Sequence, residues 1–286
     1  IWVVVIVLAI GGGSRAFADK LELTNGDVIT GAIERMDENV VIIQTDYGVL
    51  EIDRAAIRHG EFAGSQHQWS DSLLFHFRFA GDLSDETGVY RLTSNGMRFV
   101  PDRSGMPASA VRSDGNGTYL TVSPTPELNA LHQFTVFFWI RLEDLASTQY
   151  LFSKWRGAEG EMAEGKIALQ ISGTNITAYF VDPQARYHWI TARGVLTADR
   201  WQSVAVAFAG GRASVYVDGV VVASQRFGFT SLYEDSAPLL IMTAEAQTED
   251  AFAYYNAVGS IDEVRLYSRA LSPEEILALS ENNGTE

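Results

Sequence analysis

Three sets of residues in this chain have the types and spacing to do chemistry. The first is aromatic: Trp155-Arg156, Tyr187-His188-Trp189 and Tyr254-Tyr255 set rings beside polar or charged neighbours. Sugar faces stack on rings while their hydroxyls need donors and acceptors alongside, and Trp, Tyr and Arg equally anchor protein interfaces. Trp155, Arg156, Tyr187, Trp189, Tyr254 and Tyr255 are therefore the candidate contacts for a glycan or a protein partner, with Trp155-Arg156 read as lying in a loop. The second set is acidic, Asp82-Leu83-Ser84-Asp85-Glu86 and Asp262-Glu263. Hard cations take several oxygen ligands, so Asp82, Asp85 and Asp262 are candidate calcium ligands if the first and last strands of the fold pair. The plainer alternative makes Asp82 and Asp85 turn residues and pairs Asp262 with an arginine. The third set, Glu159, Glu161 and Glu164, falls in the Gly-rich stretch Gly157 to Gly165 and reads as a solvated loop. His59, His67, His76, His132 and His188 lack the spacing of a zinc site, and no Gly-x-Ser-x-Gly elbow occurs, so no catalytic residue is assigned.

Composition narrows the partners. With 36 acidic against 21 basic residues the net charge is −15, which disfavours nucleic acid because a polyanion is bound by neutralising its phosphates with Lys and Arg. The chain has no cysteine, so disulfides and thiolate chemistry are excluded, and a bacterial envelope protein is favoured over a disulfide-stapled ectodomain. Residues 1–10 are uninterruptedly apolar, and Ala16-Phe17-Ala18 before Asp19 fits a signal-peptidase site. Residues 1–18 are thus a signal peptide or a membrane anchor. The first predicts a secreted chain beginning at Asp19; the second, slightly preferred, predicts a periplasmic or extracellular protein held at the inner membrane.

Period-two alternation supplies the elements that must position the candidate residues. Residues 19–62 read as four or five short strands, with turns at Asn25-Gly26 and Asp46-Tyr47-Gly48, and 63–72 as a linker. From Leu73 onward strands are expected at Leu73 to Phe79, Phe134 to Leu142, Lys166 to Ile171, Ile176 to Val181, His188 to Ala192, Ser203 to Phe208, Ser214 to Val217, Val220 to Ala223, Leu239 to Thr243 and Ile261 to Tyr267. Phe134 to Leu142 is apolar on both faces and should be a central strand, and Trp139 and Trp201 are expected in the core. Ser272-Pro273-Glu274-Glu275 is a capping box with Pro at the first helical position, predicting a short closing helix to Glu281 beside the first strands. Many short strands with no helical repeat between them define an all-β, antiparallel two-sheet jelly-roll sandwich over 73–281, followed by a tail, 282–286.

Three stretches carry a family resemblance: Trp201 with Val204-Ala205, Tyr216-Val217-Asp218-Gly219, and Ile261-Asp262-Glu263-Val264-Arg265-Leu266-Tyr267. Together with Phe134 to Ile140, they resemble the laminin-G-like, concanavalin A-like family of β-sandwiches. The resemblance implies recognition of glycans or protein surfaces, with catalysis in some branches, and a structural calcium in some members. The glucanase branch uses Glu-x-Asp-x-Glu on one strand; no such run occurs here, so a glycoside hydrolase is the least favoured reading. Leu23-x-Asn-Gly-Asp-x-Ile-x-Gly31, with Thr45-x-Tyr47-Gly48 and Ile57, resembles the small Sm-like or SH3-like barrels at the start of bacterial envelope proteins. Sm-like barrels elsewhere bind RNA, but Glu22, Asp27, Glu34, Asp37, Glu38, Asp46, Glu51 and Asp53 argue here for packing or docking. The expected function is a non-catalytic envelope protein that binds or scaffolds through its sandwich. In domain order alone, membrane segment, Sm-like barrel and lectin-like sandwich, the chain also resembles an accessory structural subunit of bacterial photosynthetic reaction-centre complexes.

Overall fold

A computed structural model of the chain describes residues 19–36, 40–61, 72–158, 164–247 and 252–281, and the chain divides into two compact units, Ile1–Asp71 and Ser72–Glu286. The apolar residues 1–18, nearly all of the expected linker and the tail lie outside the described residues. Among the described residues no helix is long and apolar enough to cross a membrane.

In the first unit, β1 (Asp19–Leu23), β2 (Val28–Met36), β3 (Val40–Thr45), β4 (Gly48–Asp53) and β5 (Ile57–Glu61) form one antiparallel sheet in the order β4-β3-β2-β1-β5. The alternation predicted this: along β3 every second residue is buried, and Leu21, Val41, Ile43 and Ile52 form the core. The last glycine of the Leu23 to Gly31 pattern has a steric reason, since a side chain at Gly31 would strike the Gln44 carbonyl on β3.

The second unit contains β6 (Leu73–Phe77), β7 (Leu92–Asn95), β8 (Arg98–Val100), β9 (Ala110–Asp114), β10 (Tyr119–Val122), α1 (Pro126–Asn129), β11 (Phe134–Leu142), β12 (Gln149–Ala158), β13 (Glu164–Ser172), β14 (Asn175–Val181), β15 (Tyr187–Ala192), β16 (Gln202–Ala209), β17 (Arg212–Val217), β18 (Val220–Arg226), β19 (Leu239–Ile241), β20 (Glu245–Gln247), β21 (Phe252–Tyr254), β22 (Val258–Tyr267) and α2 (Pro273–Glu281). One sheet runs β15-β14-β13-β12-β19-β10-β7, with β20 also on β12 and β21 on β20; the other runs β18-β17-β16-β11-β22-β9-β8, with β6 also on β22. Their facing sides enclose one core that includes Phe75, Phe134, Phe138, Leu169, Phe180, Phe208 and Ile261. This is the expected sandwich. As predicted, β11 is central, with β16 and β22 on its two sides, and β6 and β22, the first and last strands, pair. The Asp218-Gly219 hairpin has positive φ at both residues, 50° and 76°, as a two-residue turn matching the strand twist requires.

Several expectations are corrected. Trp155 and Arg156 lie within β12, not in a loop. Trp139 and Trp201 are only half-buried: Trp139 alternates with the core residues Phe138 and Ile140 and so sits on the side of its sheet away from the common core, and Trp201 immediately precedes β16. The closing helix forms as its sequence dictates: Ser272 N–H donates to Glu275 (2.7 Å) and Glu275 N–H donates back to the Ser272 hydroxyl (3.3 Å). It packs against the β16 to β18 region rather than beside the first strand, with Ser280 bonded to Ser203 (2.8 Å) and Leu277 against Gly219.

Candidate functional site

Alternation along three neighbouring strands builds the site. Ile176, Ala178 and Phe180 of β14 face the core, so Thr177 and Tyr179 must face outward; on β15 Ile190 and Ala192 face in and Tyr187, Trp189 and Thr191 face out. On β13 Leu169 and Ile171 face in, leaving Ala168 and Gln170 outside. The register places Trp189 beside Tyr179 and Ala168, and Thr191 beside Thr177 and Gln170.

Trp155 joins this face through a bulge. The β12–β13 register slips between Lys154 and Trp155, pairing Trp155 with Gly165. A side chain at Gly165, whose φ is 155°, would come within 2.6 Å of the Trp155 Cα, so glycine is what permits the approach. Trp155 then stands 5.0 Å from the Tyr187 ring and edge-on to Tyr179 at 6.4 Å. Trp189 is 58 % exposed and Tyr187 38 %, unusual for rings in a packed sandwich.

Beside the rings runs a polar row. The Tyr179 hydroxyl donates to Gln170 Oε1 (3.2 Å), Gln170 Nε2 donates to the Tyr150 hydroxyl (2.7 Å), and the Thr177 and Thr191 hydroxyls share a bond of 3.0 Å. The Tyr150 ring meets exposed Tyr255 at 5.9 Å. Four predicted contacts, Trp155, Tyr187, Trp189 and Tyr255, thus adjoin one stretch of sheet. Arg156 lies in β12 and Tyr254 in β21, their side chains outside the described residues. Sequence reading missed Tyr150, Gln170, Thr177, Tyr179 and Thr191, although the alternation already placed the β13 and β14 members on the outer face. Asp182 fixes the β14–β15 turn: it accepts from Gln184 N–H (2.9 Å), Arg186 N–H (3.0 Å), Arg186 Nε (2.8 Å) and His188 Nε2 (2.9 Å). Burial alone would raise its pKa, but these bonds hold it down at about 2.

The acidic candidates are not brought together as a metal cage. Asp85 accepts from the backbone N–H groups of His76, Thr87, Val89 and Tyr90 and from the Thr87 hydroxyl. Asp82 binds its own turn at Ser84. Asp262 pairs with Arg103 at 2.7 Å, the arginine alternative, and that guanidinium lies over the Trp139 ring at 4.7 Å. Burial and the adjacent Glu263 carboxylate push Asp262 up to about 7, whereas Glu263, against the same burial, is held at about 2 by its bond to His76 and by the Arg265 charge. Among the described residues no group of three or more His, Asp or Glu side chains could hold a metal ion.

Inside the sandwich Lys154 and Lys166 share one carboxylate. Lys154 Nζ donates to Asp235 Oδ1 (2.7 Å), Asn129 Oδ1 (3.0 Å) and the Ala237 carbonyl (2.8 Å); Lys166 Nζ donates to the Asn129 (2.5 Å) and Leu131 (3.2 Å) carbonyls and lies 3.7 Å from Asp235 Oδ2. This triad fastens the 126–131 and 232–237 segments to β12 and β13. The adjoining cavity, about 10 Å³, has room for one water at most.

A two-sheet antiparallel sandwich with a ring-bearing, hydroxyl-lined outer face is a lectin-like jelly roll. The laminin-G model described as the Concanavalin A-like lectin/glucanases superfamily matches residues 114–277, more than half of the chain, and the chain belongs to that superfamily. Among solved structures, the chain is similar to the binding domain of Paraclostridial Mosquitocidal Protein 1 (17% identity, TM-score 0.59, 74% of this chain and 52% of that one). It is also similar to the botulinum neurotoxin serotype D ligand binding domain in complex with N-acetylneuraminic acid (16% identity, TM-score 0.59, 77% and 53%) and to the serotype D binding domain (15%, 0.57, 76% and 53%). At these identities the likeness is one of fold, and the chain spans about half the length of the structures it matches. No curated protein matches.

Proposed function

We propose that this chain is a non-catalytic binding and scaffolding module of the cell envelope, whose sandwich engages a partner through the outer face of the β15-β14-β13-β12 sheet. One observation carries the reading. The Trp155, Tyr187 and Trp189 rings and the Gln170, Thr177 and Thr191 row lie on the side of a sheet whose other side is already buried, so the core does not explain their composition. The neighbouring toxin domains are themselves named for binding, one of them in complex with N-acetylneuraminic acid, which supports a binding role for this fold. The non-catalytic part of the reading is supported by how the acids are used: Asp85, Asp182, Asp262 and Glu263 are buried and bonded to N–H groups, guanidinium or imidazole. The envelope location rests on apolar residues 1–10 and Ala16-Phe17-Ala18. A second reading, an accessory structural subunit of a membrane complex such as a bacterial photosynthetic reaction-centre complex, rests on the order of those segments. The test is to isolate the chain from native membranes in mild detergent and identify its N-terminal residue and its companions by mass spectrometry. A retained apolar N-terminus with a stoichiometric companion favours the structural subunit. A chain beginning at Asp19 and running alone favours an exported binding module, and turnover of a glycan by the isolated chain contradicts both.

A further inference from the structure

We infer that the outer sheet face takes a neutral oligosaccharide in extended form; the inference rests on the reading of that face as the binding surface. Ring stacking requires a ligand with flat apolar faces, and Trp155, Tyr179, Tyr187 and Trp189 offer such surface on β12, β14 and β15. The row beside them is built for groups that both donate and accept. Tyr179, Gln170 and Tyr150 are locked in a line of donation that leaves the Tyr150 hydroxyl proton and the second Gln170 amide proton to reach outward, and the Thr177–Thr191 pair is amphoteric. Sugar hydroxyls match that pattern. Fixed donors also lose little freedom on binding, which favours affinity.

Charge selects within the sugars. β14 contains no charged residue, and the one side chain of β15 that can carry a positive charge is His188, which stacks on Phe227 and Phe229 on the inner side. The nearby cation Arg186 is bound to Asp182, and the chain as a whole carries −15. On β14 and β15 themselves a carboxylated or sulfated sugar finds no counter-charge on the outer side, and it is repelled at longer range by the chain's net charge. Size selects for an oligomer: four adjacent strands about 4.8 Å apart give a row roughly 14 Å across, longer than one sugar ring.

The experiment is isothermal titration of the full chain in mild detergent with cellotetraose, laminaritetraose and xylotetraose, and with sialyllactose as the anionic probe, repeated on Trp189→Ala and Gln170→Ala. The expected result is saturable binding of at least one neutral tetrasaccharide, weakened about tenfold or more in each variant, with no binding of sialyllactose. Sialyllactose bound as tightly as the neutral sugars, and lost in Trp189→Ala, overturns the neutral class while leaving the face intact. So does a protein companion from native membranes that is lost in Trp189→Ala when no tetrasaccharide binds. Binding of any probe or companion at full strength by both variants overturns the inference and the face reading together.

Discussion

Replacing Asp235 by asparagine should cost this fold about 3–5 kcal/mol, because it removes the one carboxylate that serves two buried ammonium groups. Asp235 has no exposed side-chain surface, and Lys154 and Lys166 show 2% and 1%. Asparagine keeps the shape and one acceptor, so the loss isolates charge. For a unit of this size each kcal/mol moves the midpoint by about 2–4 °C, giving a fall in Tm on the order of 6–20 °C. The complementary change, Lys166→Met, should be neutral or stabilising at pH 7, since it removes the ammonium whose carbonyl bonds do not neutralise it. Burial, partly offset by Asp235, depresses Lys166 to about 8 from 10.5. Between those values the unfolded chain binds the proton more tightly than the folded one, so the native fold gains stability from Lys166 as pH rises through that window, by roughly 3 kcal/mol in all. Lys166→Met should lack that rise. Urea unfolding followed by circular dichroism at pH 7, 8.5 and 10 measures both effects. An Asp235→Asn cost below about 1 kcal/mol, or a pH dependence identical in wild type and Lys166→Met, would refute the reasoning.

Three further outcomes follow from the geometry. Gly165→Ala must push the Trp155 backbone away, so it should destabilise by about 1–3 kcal/mol and change the near-ultraviolet dichroism of the Trp155–Tyr187 pair; unchanged spectra would contradict the bulge. Asp182 is held at about 2, so its stabilisation is present above its unfolded value near 3.8 and is lost as pH falls from there through 2. Asp182→Asn should therefore flatten the acid limb of the stability curve, and an acid limb as steep as the wild type's would speak against it. Addition of calcium or of a chelator should leave the thermal midpoint unchanged, because Asp82, Asp85 and Asp262 are already engaged; a calcium-dependent midpoint would return those residues to the list of metal ligands.

The sandwich was legible because its strands announce themselves. β11 is apolar on both faces, Asp218-Gly219 fits only a tight hairpin, and Ser272 to Glu275 is a reciprocal cap, so each local signal agrees with the fold. β12 was not legible. Its register against β13 shifts twice, with Leu151 the extra residue on β12 at the first shift and Lys166 the extra residue on β13 at the second, beside Trp155, and periodicity cannot see a bulge. Trp139 misled for another reason: a ring capped by one guanidinium reads in sequence like a ring under a full layer. Residue type alone singles out Trp155, Tyr187, Trp189 and Tyr255, but the Tyr179 ring and the polar row beside them require knowing which strands are neighbours. The buried triad lay beyond any local signal, since Asp235 meets Lys154 across 81 positions of chain.

The central claim is that the outer face of the β15-β14-β13-β12 sheet is where this protein meets its partner. It is tested most directly by measuring binding to native envelope extract and to the neutral tetrasaccharides for wild type, Trp189→Ala and Val221→Ala, the last an exposed residue of β18 in the other sheet. The account predicts that Trp189→Ala loses binding with its thermal midpoint unchanged while Val221→Ala binds as wild type does. Full binding by Trp189→Ala would contradict it.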